Sequence, residues 1–575
     1  MTPIKIKRTG SGWSAIFRYQ PDTKDYVKGF GFKFDFLDKT WKTTSATIAS
    51  DLAKAIRDEQ AQNLIDVQAN LQNKMDAEAF DMSRGLTPLN GMAVASPPGL
   101  TYSPYQLAMI EWCLQRYESG RHNLICADEM GIGKTMEAIG LMQVIIEKHD
   151  GIPRFLIVCP ASLKINWERE IRKWDLHGLT VAKVSGRKCP TKVPSENVII
   201  INYDILINHR EWISSVGWGL IVCDEAHMLK NSNTKRSVAV LGGKAKMERG
   251  KMPVSFGPLH GRKLFLTGTP MVNRPVELFP MLKECDPDGL GANWYRYVTE
   301  YCDGHQTRYG WDTKGASNLG RLQGKLRSSC MMRRRTDDVL TQLPPIRRQA
   351  IVLPDNGHAD LIQREWEAYN QYEQIRAELE SARSNTGDIR KLVRSLSDRQ
   401  GLAWAELAEA RKLVGLAKRD HVIEHVSNVE ESRGKVVVFA WHRDVVETLM
   451  EGFNKLKFNP VKFTGANTLY NRQTSIDRFQ DNPDVRVIVL NLEAGGVGIT
   501  LTGTEDAGFC TSVVFSELDW RPSTMEQAER RVARRGADEG ATNILVQHIV
   551  LDGSLDATIS NRLIDKQDII DQAIN

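Results

Sequence analysis

The sequence predicts an α/β protein with two blocks of parallel β-sheet covered by helices. Apolar runs of four to seven residues recur along the chain; they are rich in β-branched residues and continuous rather than alternating. Such runs are typical of strands that are buried on both faces of a parallel sheet. Helical stretches separate the runs, so the order strand–helix–strand occurs in two successive blocks. A smaller module of strands and a helix is predicted before them.

The totals limit the class of protein. The 575 residues predict roughly three to five domains or subdomains, and the net charge of +5 is too small to indicate nucleic-acid binding by itself. We expect no membrane span and no secretory signal, because no apolar run approaches the roughly 18 residues that a span requires. The nine cysteines form no CxxC pair, which favours reduced, buried thiols over a zinc site.

The N-terminal module is predicted to cover residues 1–90. Residues 1–42 carry nine Lys and Arg against four Asp and Glu. The run GFGFKFDF (29–36) predicts a strand, and a helix is predicted over residues 47–74. The aromatic side chains on one face of that strand would be Phe30, Phe32, Phe34 and Phe36. They could be the core of the module, or they could stack on bases in a companion DNA-binding domain.

The first sheet block is predicted over residues 91–345, with a helical insert near 277–345. Its strands are predicted at NLIC (123–126), FLIVCP (155–160), NVIII (197–201), GLIVCDE (219–225) and LFLTGTP (264–270). A helix is predicted over residues 134–149. A helical connector without strands should fill residues 346–430. The second block, residues 431–575, has predicted strands at KVVVFAW (435–441), VRVIVLN (485–491), SVVFS (512–516) and ILVQHIV (544–550).

The stretch ADEMGIGKT (127–135) resembles a phosphate-binding loop between a strand and a helix. The general pattern has a glycine, four residues, and then Gly-Lys-Ser/Thr. Asp128 stands where the first glycine is expected. In this context Lys134 would reach the outer phosphates of a nucleotide and Thr135 would bind Mg²⁺. A chance match is the alternative, because the short pattern is not specific.

The stretch GLIVCDEAH (219–227) follows the loop and ends a predicted strand with two carboxylates. Asp224 would hold Mg²⁺ and Glu225 would polarise the attacking water, which are two tasks that nucleotide hydrolysis requires. Taken alone, the pair could simply begin a helix, where acidic residues are favourable.

A cluster of arginines lies in QAERRVARRGAD (527–538), which predicts a helix. Arg531 and Arg534 are three residues apart and would share one face of it. They could act as a pair of arginine fingers that the second block supplies to phosphates held by the first. The alternative is a solvated basic helix.

The ordered set of motifs resembles the Swi/Snf-type DNA translocases of helicase superfamily two, over roughly residues 100–555. The motifs are PYQ (104–106), ADEMGIGKT, VCPASLKINWERE (158–170), INYDIL (201–206), DEAH (224–227), LTGTP (266–270) with Asn273, VVVFAWH (436–442), NLEAGGVGITLT (491–502), DWRPSTMEQAERR (519–531) and RRG (534–536). The resemblance implies two RecA-like lobes with helical inserts and a monomer that hydrolyses ATP with Mg²⁺ while it moves along duplex or forked DNA. Asp128 matches the form of the loop that is typical of this family.

The resemblance also assigns roles to individual residues. The implied ATP-binding residues are Gln106, Asp128, Glu129, Met130, Gly131, Ile132, Gly133, Lys134, Thr135 and Gly498. The implied coupling residues are His227, Thr267, Thr269 and Gln527. The implied DNA-binding residues, which would track the phosphate backbone, are Ser162, Lys164, Asn202, Trp441, Thr464 and Gly495.

The chain departs from the family in its arginine motif, which usually reads QxxDRxHRxGQ. Arg530 replaces the acid, Ala533 the histidine and Ala537 the last glutamine. We expect hydrolysis to survive, because both finger arginines remain, while the coupling of the lobes is altered.

The stretches YCDGHQTRYGWDTKGASNL (301–319) and MMRRRTDDVLTQLPPIRRQ (331–349) most resemble the fork-remodelling or strand-annealing branch of the family. The resemblance implies that the chain re-pairs strands or displaces DNA-bound proteins. Residues 307–350 carry ten Lys and Arg against three Asp and Glu, which predicts a surface that faces phosphates. The alternatives are an ATPase that recycles transcription complexes and a DNA-binding scaffold that does not hydrolyse ATP. The absence of long tails and of nuclear-localisation clusters suggests a cytoplasmic protein of a bacterium or phage.

Overall fold

The protein folds into two compact units, residues 1–82 and residues 83–575. The computed structural model describes residues 4–9, 12–18, 20–35, 40–43, 46–56, 78–190, 192–245, 254–271, 274–307, 310–340, 343–355, 357–383, 390–495, 499–533, 537–538, 540–556 and 558–559. In this part of the chain, no helix is both long and apolar enough to cross a membrane.

The first unit is a small antiparallel sheet with two helices. Its elements are β1 (Lys5–Thr9), β2 (Gly12–Ile16), α1 (Pro21–Gly29), β3 (Lys33–Asp35), β4 (Thr40–Thr43) and α2 (Ala46–Ala55). The strands lie in the order β1-β2-β4-β3. The core is formed by Ile6, Trp13, Ala15, Val27, Phe32, Ala49, Leu52 and Ala53. Within the described residues, the predicted helix over residues 47–74 is present as α2, which ends at Ala55.

The predicted strand over residues 29–36 begins too early, because among its described residues only Lys33–Asp35 form a strand, β3. Phe30 is the C-cap of α1 and has helical backbone angles, and Gly31 makes a turn with a φ of 96°, a conformation that glycine adopts at little cost. Only Phe32 is buried in the core, at 1% exposure, whereas Phe34 is 38% exposed and packs against Trp41. Phe36 lies outside the described residues. The core interpretation therefore holds for Phe32, and Phe30 is half-buried against the same core.

The second unit begins with a lobe built on a seven-stranded parallel sheet in the order β15-β5-β12-β9-β6-β8-β7. The strands of this part of the chain are β5 (Asn123–Cys126), β6 (Arg154–Cys159), β7 (Val181–Lys183), β8 (Val198–Asn202), β9 (Trp218–Asp224), β10 (Gly243–Ala245), β11 (Val254–Phe256), β12 (Lys263–Leu266), β13 (His305–Thr307), β14 (Gly310–Asp312) and β15 (Met331–Met332). Two short hairpins, β10–β11 and β13–β14, lie outside the sheet.

Helices cover this first sheet and form the insert. They are α3 (Pro104–Glu118), α4 (Lys134–Glu147), α5 (Lys164–Trp174), α6 (Tyr203–Leu206), α7 (Arg210–Ser214), α8 (Lys235–Leu241), α9 (Phe279–Cys285), α10 (Trp294–Tyr301), α11 (Leu319–Ser329) and α12 (Thr336–Val339). Short 3₁₀ turns occur at Ala161–Leu163, Ile207–His209, Ala226–Leu229 and Pro275–Leu278. All five predicted strands of the first block are present, and all five are buried along most of their length.

The second lobe is another parallel sheet, in the order β16-β22-β21-β17-β19-β18, with the short β20 antiparallel to β21. Its strands are β16 (Ile346–Leu353), β17 (Lys435–Ala440), β18 (Val461–Phe463), β19 (Val487–Asn491), β20 (Gly503–Thr504), β21 (Gly508–Phe515) and β22 (Ile544–Leu551). Its helices are α16 (Arg443–Lys455), α17 (Leu469–Asp481), α18 (Leu492–Gly495) and α19 (Pro522–Glu529). The predicted fold class, two parallel-sheet lobes, is confirmed.

The three helices of the predicted connector lie between β16 and β17 of the second sheet: α13 (Ala359–Arg383), α14 (Arg390–Ala417) and α15 (Arg419–Arg433). Residues 346–353 had been assigned to this connector, but they form β16 at the edge of the second sheet. That strand is mostly exposed, and only its last four residues, AIVL, form an apolar run. The other proposed domain boundaries stay predictions.

The first unit allows a matched test of its core. We expect Phe32→Ala to lower the free energy of unfolding of residues 4–56 by about 3–5 kcal/mol, because it removes a fully buried aromatic side chain. Phe34→Ala is the control and should cost about 1 kcal/mol or less. Native-state hydrogen exchange of peptides from this unit measures both; equal losses would contradict the assignment of the core.

Candidate functional site

Three neighbouring strands of the first lobe bring their carboxyl ends together. The strand β12 lies between β5 and β9, and Leu266 is paired with Cys126 on one side and with Asp224 on the other. The segments that follow these strands are the phosphate-loop candidate, the DEAH stretch and the LTGTP stretch. Their convergence follows from the parallel order, since the carboxyl ends of parallel strands share one edge.

The loop itself is built around glycine conformations. Gly133 is the N-cap of α4, with a φ of 107°, which other residues rarely adopt. A Cβ atom at this position would also lie 2.5 Å from Nε2 of Gln106. Gln106 is buried, and its Oε1 accepts a 2.9 Å hydrogen bond from the backbone N–H of Ser103. The first helix of the lobe thus brings the predicted adenine-binding residue directly to the loop.

Lys134 lies across the loop that precedes it. Its Nζ donates to the backbone carbonyls of Asp128, at 2.7 Å, and of Glu129, at 3.0 Å. The ammonium is thereby held at the N-terminus of α4, where backbone N–H groups and the helix dipole favour phosphate. Thr135 follows on the same turn, and Lys134 and Thr135 both line one cavity of the protein.

Asp128 has a structural partner that the sequence did not indicate. Its carboxylate accepts hydrogen bonds from the backbone N–H of Arg334 at 2.8 Å and from that residue's Nε at 2.9 Å, and Nη2 contacts the same carboxylate. The Arg334 side chain is 1% exposed and the Asp128 side chain fully buried. A glycine in place of Asp128 could not make these contacts. The residue therefore anchors the start of the loop to the segment after β15.

The same guanidinium also neutralises Glu137 on α4, whose Oε1 lies 2.6 Å from Nη2 of Arg334. Burial and the nearby Asp128 charge raise the pKa of Glu137. Cys126, Asp128 and Glu137 are close enough together to resemble a metal site. Arg334 already supplies the positive charge to both carboxylates there. The nine cysteines are free thiols, and all except Cys189 are buried, as predicted.

Asp224 is held in place from two sides. Its Oδ2 accepts a 2.8 Å hydrogen bond from Nε1 of the fully buried Trp167, and its backbone carbonyl accepts one of 2.8 Å from the hydroxyl of Tyr203. The next residue, Glu225, has a φ of 50°, a strained value for a residue with a side chain. The two neighbouring carboxylates therefore have different partners, Trp167 for Asp224 and His227 for Glu225.

The electrostatic environments of the two carboxylates differ. Burial, and next the charge of Glu225, raise the pKa of Asp224 to about 6. Burial also acts to raise the pKa of Glu225, but its hydrogen bond with His227 and the charges of His227, Lys134 and Arg531 outweigh this effect and lower it to about 2. Glu225 is therefore ionised at neutral pH and suited to polarise water.

The predicted coupling residues form a continuous path between the lobes. Nδ1 of His227 lies 3.3 Å from Oε2 of Glu225 and 3.4 Å from Oγ1 of Thr267. Oγ1 of Thr267 accepts from the backbone N–H of Thr269 at 3.2 Å, and Oγ1 of Thr269 accepts from Nε2 of Gln527 at 3.2 Å. Gln527 belongs to the second lobe. The coupling role of these residues stays a prediction.

A cavity of about 420 Å³ lies where the lobes meet. The first lobe contributes Gln106, the segment from Met130 to Met136, Asp224 and Glu225, and the second lobe contributes Thr500 and Arg531. The volume falls within the range of small-molecule sites. A cation, a helix N-terminus and carboxylates in one cavity fit a nucleoside triphosphate with its metal.

The predicted helix over residues 527–538 is wrong, because α19 ends at Glu529. Arg530 is its C-cap, and the backbone carbonyl of Arg531 accepts a 2.9 Å hydrogen bond from Leu501 instead of continuing the helix. The Arg531 side chain is nevertheless 1% exposed and lines the cavity. Arg534 and Gly498 lie outside the described residues, and so does Asn273.

The predicted DNA-binding residues fall into two groups. Lys164 and Asn202 are buried and hydrogen-bonded to each other at 3.3 Å, and Lys164 also donates to the carbonyl of Val184 at 3.0 Å. Thr464 is buried and bonded to Asn467 at 2.6 Å. These contacts give all three a part in the fold. Ser162 and Trp441 are half-buried, and Gly495 ends α18. DNA binding by these residues stays a prediction.

Comparison with known proteins agrees with this architecture. The SNF2-related domain matches residues 105–401, and the helicase conserved C-terminal domain matches residues 417–536. The chain belongs to the SNF2-related family. The predicted resemblance is thus confirmed, and the loop, the DEAH stretch and the arginine motif all lie inside the matched regions.

The curated proteins that resemble this SNF2-related chain include relatives with two different names. It is 30% identical over 80% of its length to the SWI/SNF-related matrix-associated actin-dependent regulator of chromatin subfamily A-like protein 1 of Drosophila melanogaster, covering 54% of that protein. The Caenorhabditis elegans homolog of that protein is 29% identical over 82% of the chain, which covers 61% of it. The human DNA annealing helicase and endonuclease ZRANB3 is 29% identical over 82% of the chain, which covers 40% of it.

The chain thus spans between 40% and 61% of the length of these relatives. They are animal proteins and give no support to the expected bacterial or phage source. Among solved structures, the Sulfolobus solfataricus SWI2/SNF2 ATPase core in complex with dsDNA is 22% identical; the match covers 83% of this chain and 94% of that one, with a TM-score of 0.38.

The buried ion pair beneath the loop gives a stability prediction. We expect Arg334→Met to lower the free energy of unfolding by about 3–5 kcal/mol, because it leaves Asp128 and Glu137 buried without a cation. The loss should shrink as the pH is lowered, since protonated carboxyls need no counter-charge. Urea unfolding of the full chain measures it.

Arg335→Met is the matched control, because that side chain is 50% exposed. It should cost about 1 kcal/mol or less. A loss for Arg334→Met no larger than that of the control would contradict the anchoring role.

Proposed function

We propose that the chain is a DNA-stimulated ATP hydrolase that translocates on duplex or forked DNA. The observation that carries this proposal is the single cavity to which both lobes contribute. Lys134 and Glu225 come from the first lobe and Arg531 from the second. A reaction that requires all three depends on the distance between the lobes, so binding and release of nucleotide would move one lobe against the other.

Each residue has a distinct part in the proposed reaction. The loop and Lys134 hold the β- and γ-phosphates, with Gln106 at the adenine. Glu225 orients and polarises the attacking water. Arg531 supplies positive charge to the γ-phosphate as negative charge develops on it, which is the role of an arginine finger. Arg534, the second finger arginine of the motif, would add a second charge.

Mg²⁺ is part of the proposal, and the residues present fit it. Asp224 is ionisable, at the strand end, and held in place by Trp167; Thr135 offers a hydroxyl in the same cavity. These two would hold the metal. When bound, it would neutralise charge on the phosphate oxygens.

The names of the relatives support the finer proposal of fork remodelling or strand annealing. One is called a DNA annealing helicase and endonuclease, and the others regulators of chromatin. The chain covers only part of each, so their activities come to this chain as proposals. A location in the cytoplasm stays a prediction.

Two alternatives are distinguished by simple measurements. A scaffold that binds DNA without hydrolysis would release no phosphate from ATP. An ATPase that recycles transcription complexes would be stimulated by stalled RNA polymerase more than by branched DNA. Conversely, stimulation by stem-loop or forked DNA alone supports the leading proposal.

The assignment of the hydrolytic site predicts the effect of two substitutions. Lys134→Ala and Glu225→Gln should each reduce DNA-stimulated phosphate release by at least about 100-fold, because each removes charge that acts on the reacting groups. Glu225→Gln should still bind ATP. Lys148→Ala, at the other end of the same helix and ion-paired only at the surface, is the control and should behave as wild type. Unchanged phosphate release in either site variant would show that the site is misassigned.

The N-terminal unit predicts a preference for DNA structure. We expect ATP hydrolysis to be stimulated several-fold more by forked than by linear duplex DNA, and this preference should be lost on deleting residues 1–82. The deletion ends there because the carbonyls of Ser83 and Gly85 accept hydrogen bonds from Arg333 and Arg334. The rates of ATP hydrolysis with single-stranded, duplex and forked DNA, compared between the full chain and the deletion variant, measure this preference. A fork preference that survives the deletion would contradict the role of this unit.

A further inference from the structure

The arginine that departs from the family motif makes an ion pair between the lobes. Nη2 of Arg530 lies 3.1 Å from Oε2 of Glu129 in the phosphate loop. The two side chains are 12% and 7% exposed. Arg530 also contacts Glu526 on its own helix at 3.3 Å. The pair is therefore largely removed from water, where salt screens it less than a surface pair.

Glu129 is also a structural centre of the loop. Its carboxylate accepts a 2.9 Å hydrogen bond from the backbone N–H of Thr336 and lies 3.6 Å from Arg333. Its backbone carbonyl accepts the 3.0 Å hydrogen bond from Lys134. Burial acts to raise its pKa, but the charges of Arg530 and then Arg333 outweigh this effect and lower it. One residue thus contacts the second lobe with its side chain and the phosphate-binding lysine with its backbone.

Arg530 is adjacent in sequence to the finger arginine of the cavity. Arg531 lines the same cavity as Lys134. A displacement of the second lobe that moves Arg531 must also move Arg530, because consecutive Cα atoms are about 3.8 Å apart. The ion pair therefore joins the backbone of the finger to the backbone of the loop.

We propose that Arg530 is a positioning residue that holds the second lobe closed on the phosphate loop through Glu129. The proposal rests on the proposed ATP hydrolysis, because it concerns closure of that site. Arg530 is not among the residues that line the cavity; it acts by stabilising the closed arrangement in which Arg531 faces the cavity.

The sign of the charge at position 530 decides whether the contact with Glu129 is attractive or repulsive. The acid that is usual in the family would face Glu129 with a second negative charge, and like charges at this distance repel. In this chain the contact is attractive. Two other contacts between the lobes are weaker candidates, because Gln527–Thr269 is neutral and Arg169–Asp477 is exposed at 53% and 43%.

Closure can be measured without hydrolysis. Cys189 is the exposed one of the nine cysteines and lies in the first lobe, so it accepts one dye; Lys455→Cys, at the exposed end of α16, accepts the other. Energy transfer between them is recorded in the full chain against the concentration of a non-hydrolysable ATP analogue with Mg²⁺. DNA-stimulated phosphate release is measured on the same proteins, with separate KM and kcat values.

The variants separate charge from packing. Arg530→Gln should raise the analogue concentration that half-closes the lobes by about tenfold, since it removes a charged hydrogen bond. Arg530→Asp should raise it further, and Arg530→Lys should stay within about threefold of wild type. Arg169→Ala is the matched control at the exposed contact and should change it less than about twofold. KM for ATP should rise in parallel with the analogue concentration that half-closes the lobes, while kcat at saturating ATP should change less.

A double-mutant cycle identifies the partner. In a Glu129→Gln background, Arg530→Gln should have almost no further effect on closure. The proposal is overturned if Arg530→Gln closes as wild type does, if Arg530→Lys is as defective as Arg530→Gln, or if the two substitutions are additive. Closure without phosphate release in the wild type would overturn the proposed hydrolysis and leave the positioning role supported. Absence of analogue-driven closure in the wild type would overturn both.

Discussion

The phosphate loop depends on one buried ion pair. Arg334 binds Asp128 at the start of the loop and Glu137 on the helix that follows it, and all three side chains are almost fully buried. Two carboxylates in an apolar interior would otherwise be costly. The conformation of the loop therefore depends on the guanidinium of a segment, the one after β15, that lies some 200 residues away along the chain. Loop, helix and insert are stable only together.

The charged groups of the proposed hydrolytic site come from both lobes. The first lobe holds Lys134, Asp224 and Glu225 rigidly at the edge of a buried sheet, where parallel strands end side by side. Arg531 approaches from a turn of the second lobe, so the complete set exists only when the lobes are together. The path of polar contacts that leads from Glu225 through His227 and the LTGTP stretch to Gln527 runs across the same boundary.

The departures from the family motif acquire a physical meaning in this arrangement. An arginine at position 530 is unusual as a motif residue, yet it faces the carboxylate of Glu129. Ala533 and Ala537 are both buried, where a histidine or glutamine would need polar partners. The altered motif therefore replaces polar contacts by an ion pair and by apolar packing. This combination is consistent with lobes that remain coupled by different chemistry.

The sequence by itself determined the fold class, the buried strands and the order of the motifs, because continuous apolar runs and strand–loop–helix stretches are local properties. It missed β16, which is exposed, and wrongly extended a helix through Arg531 and a strand through Gly31, where tertiary contacts and a positive φ override local preference. Only the tertiary structure decided that Asp128 binds Arg334 and that Lys164 is buried against Asn202. Pairings between residues far apart in sequence leave no local signal, since they arise from packing.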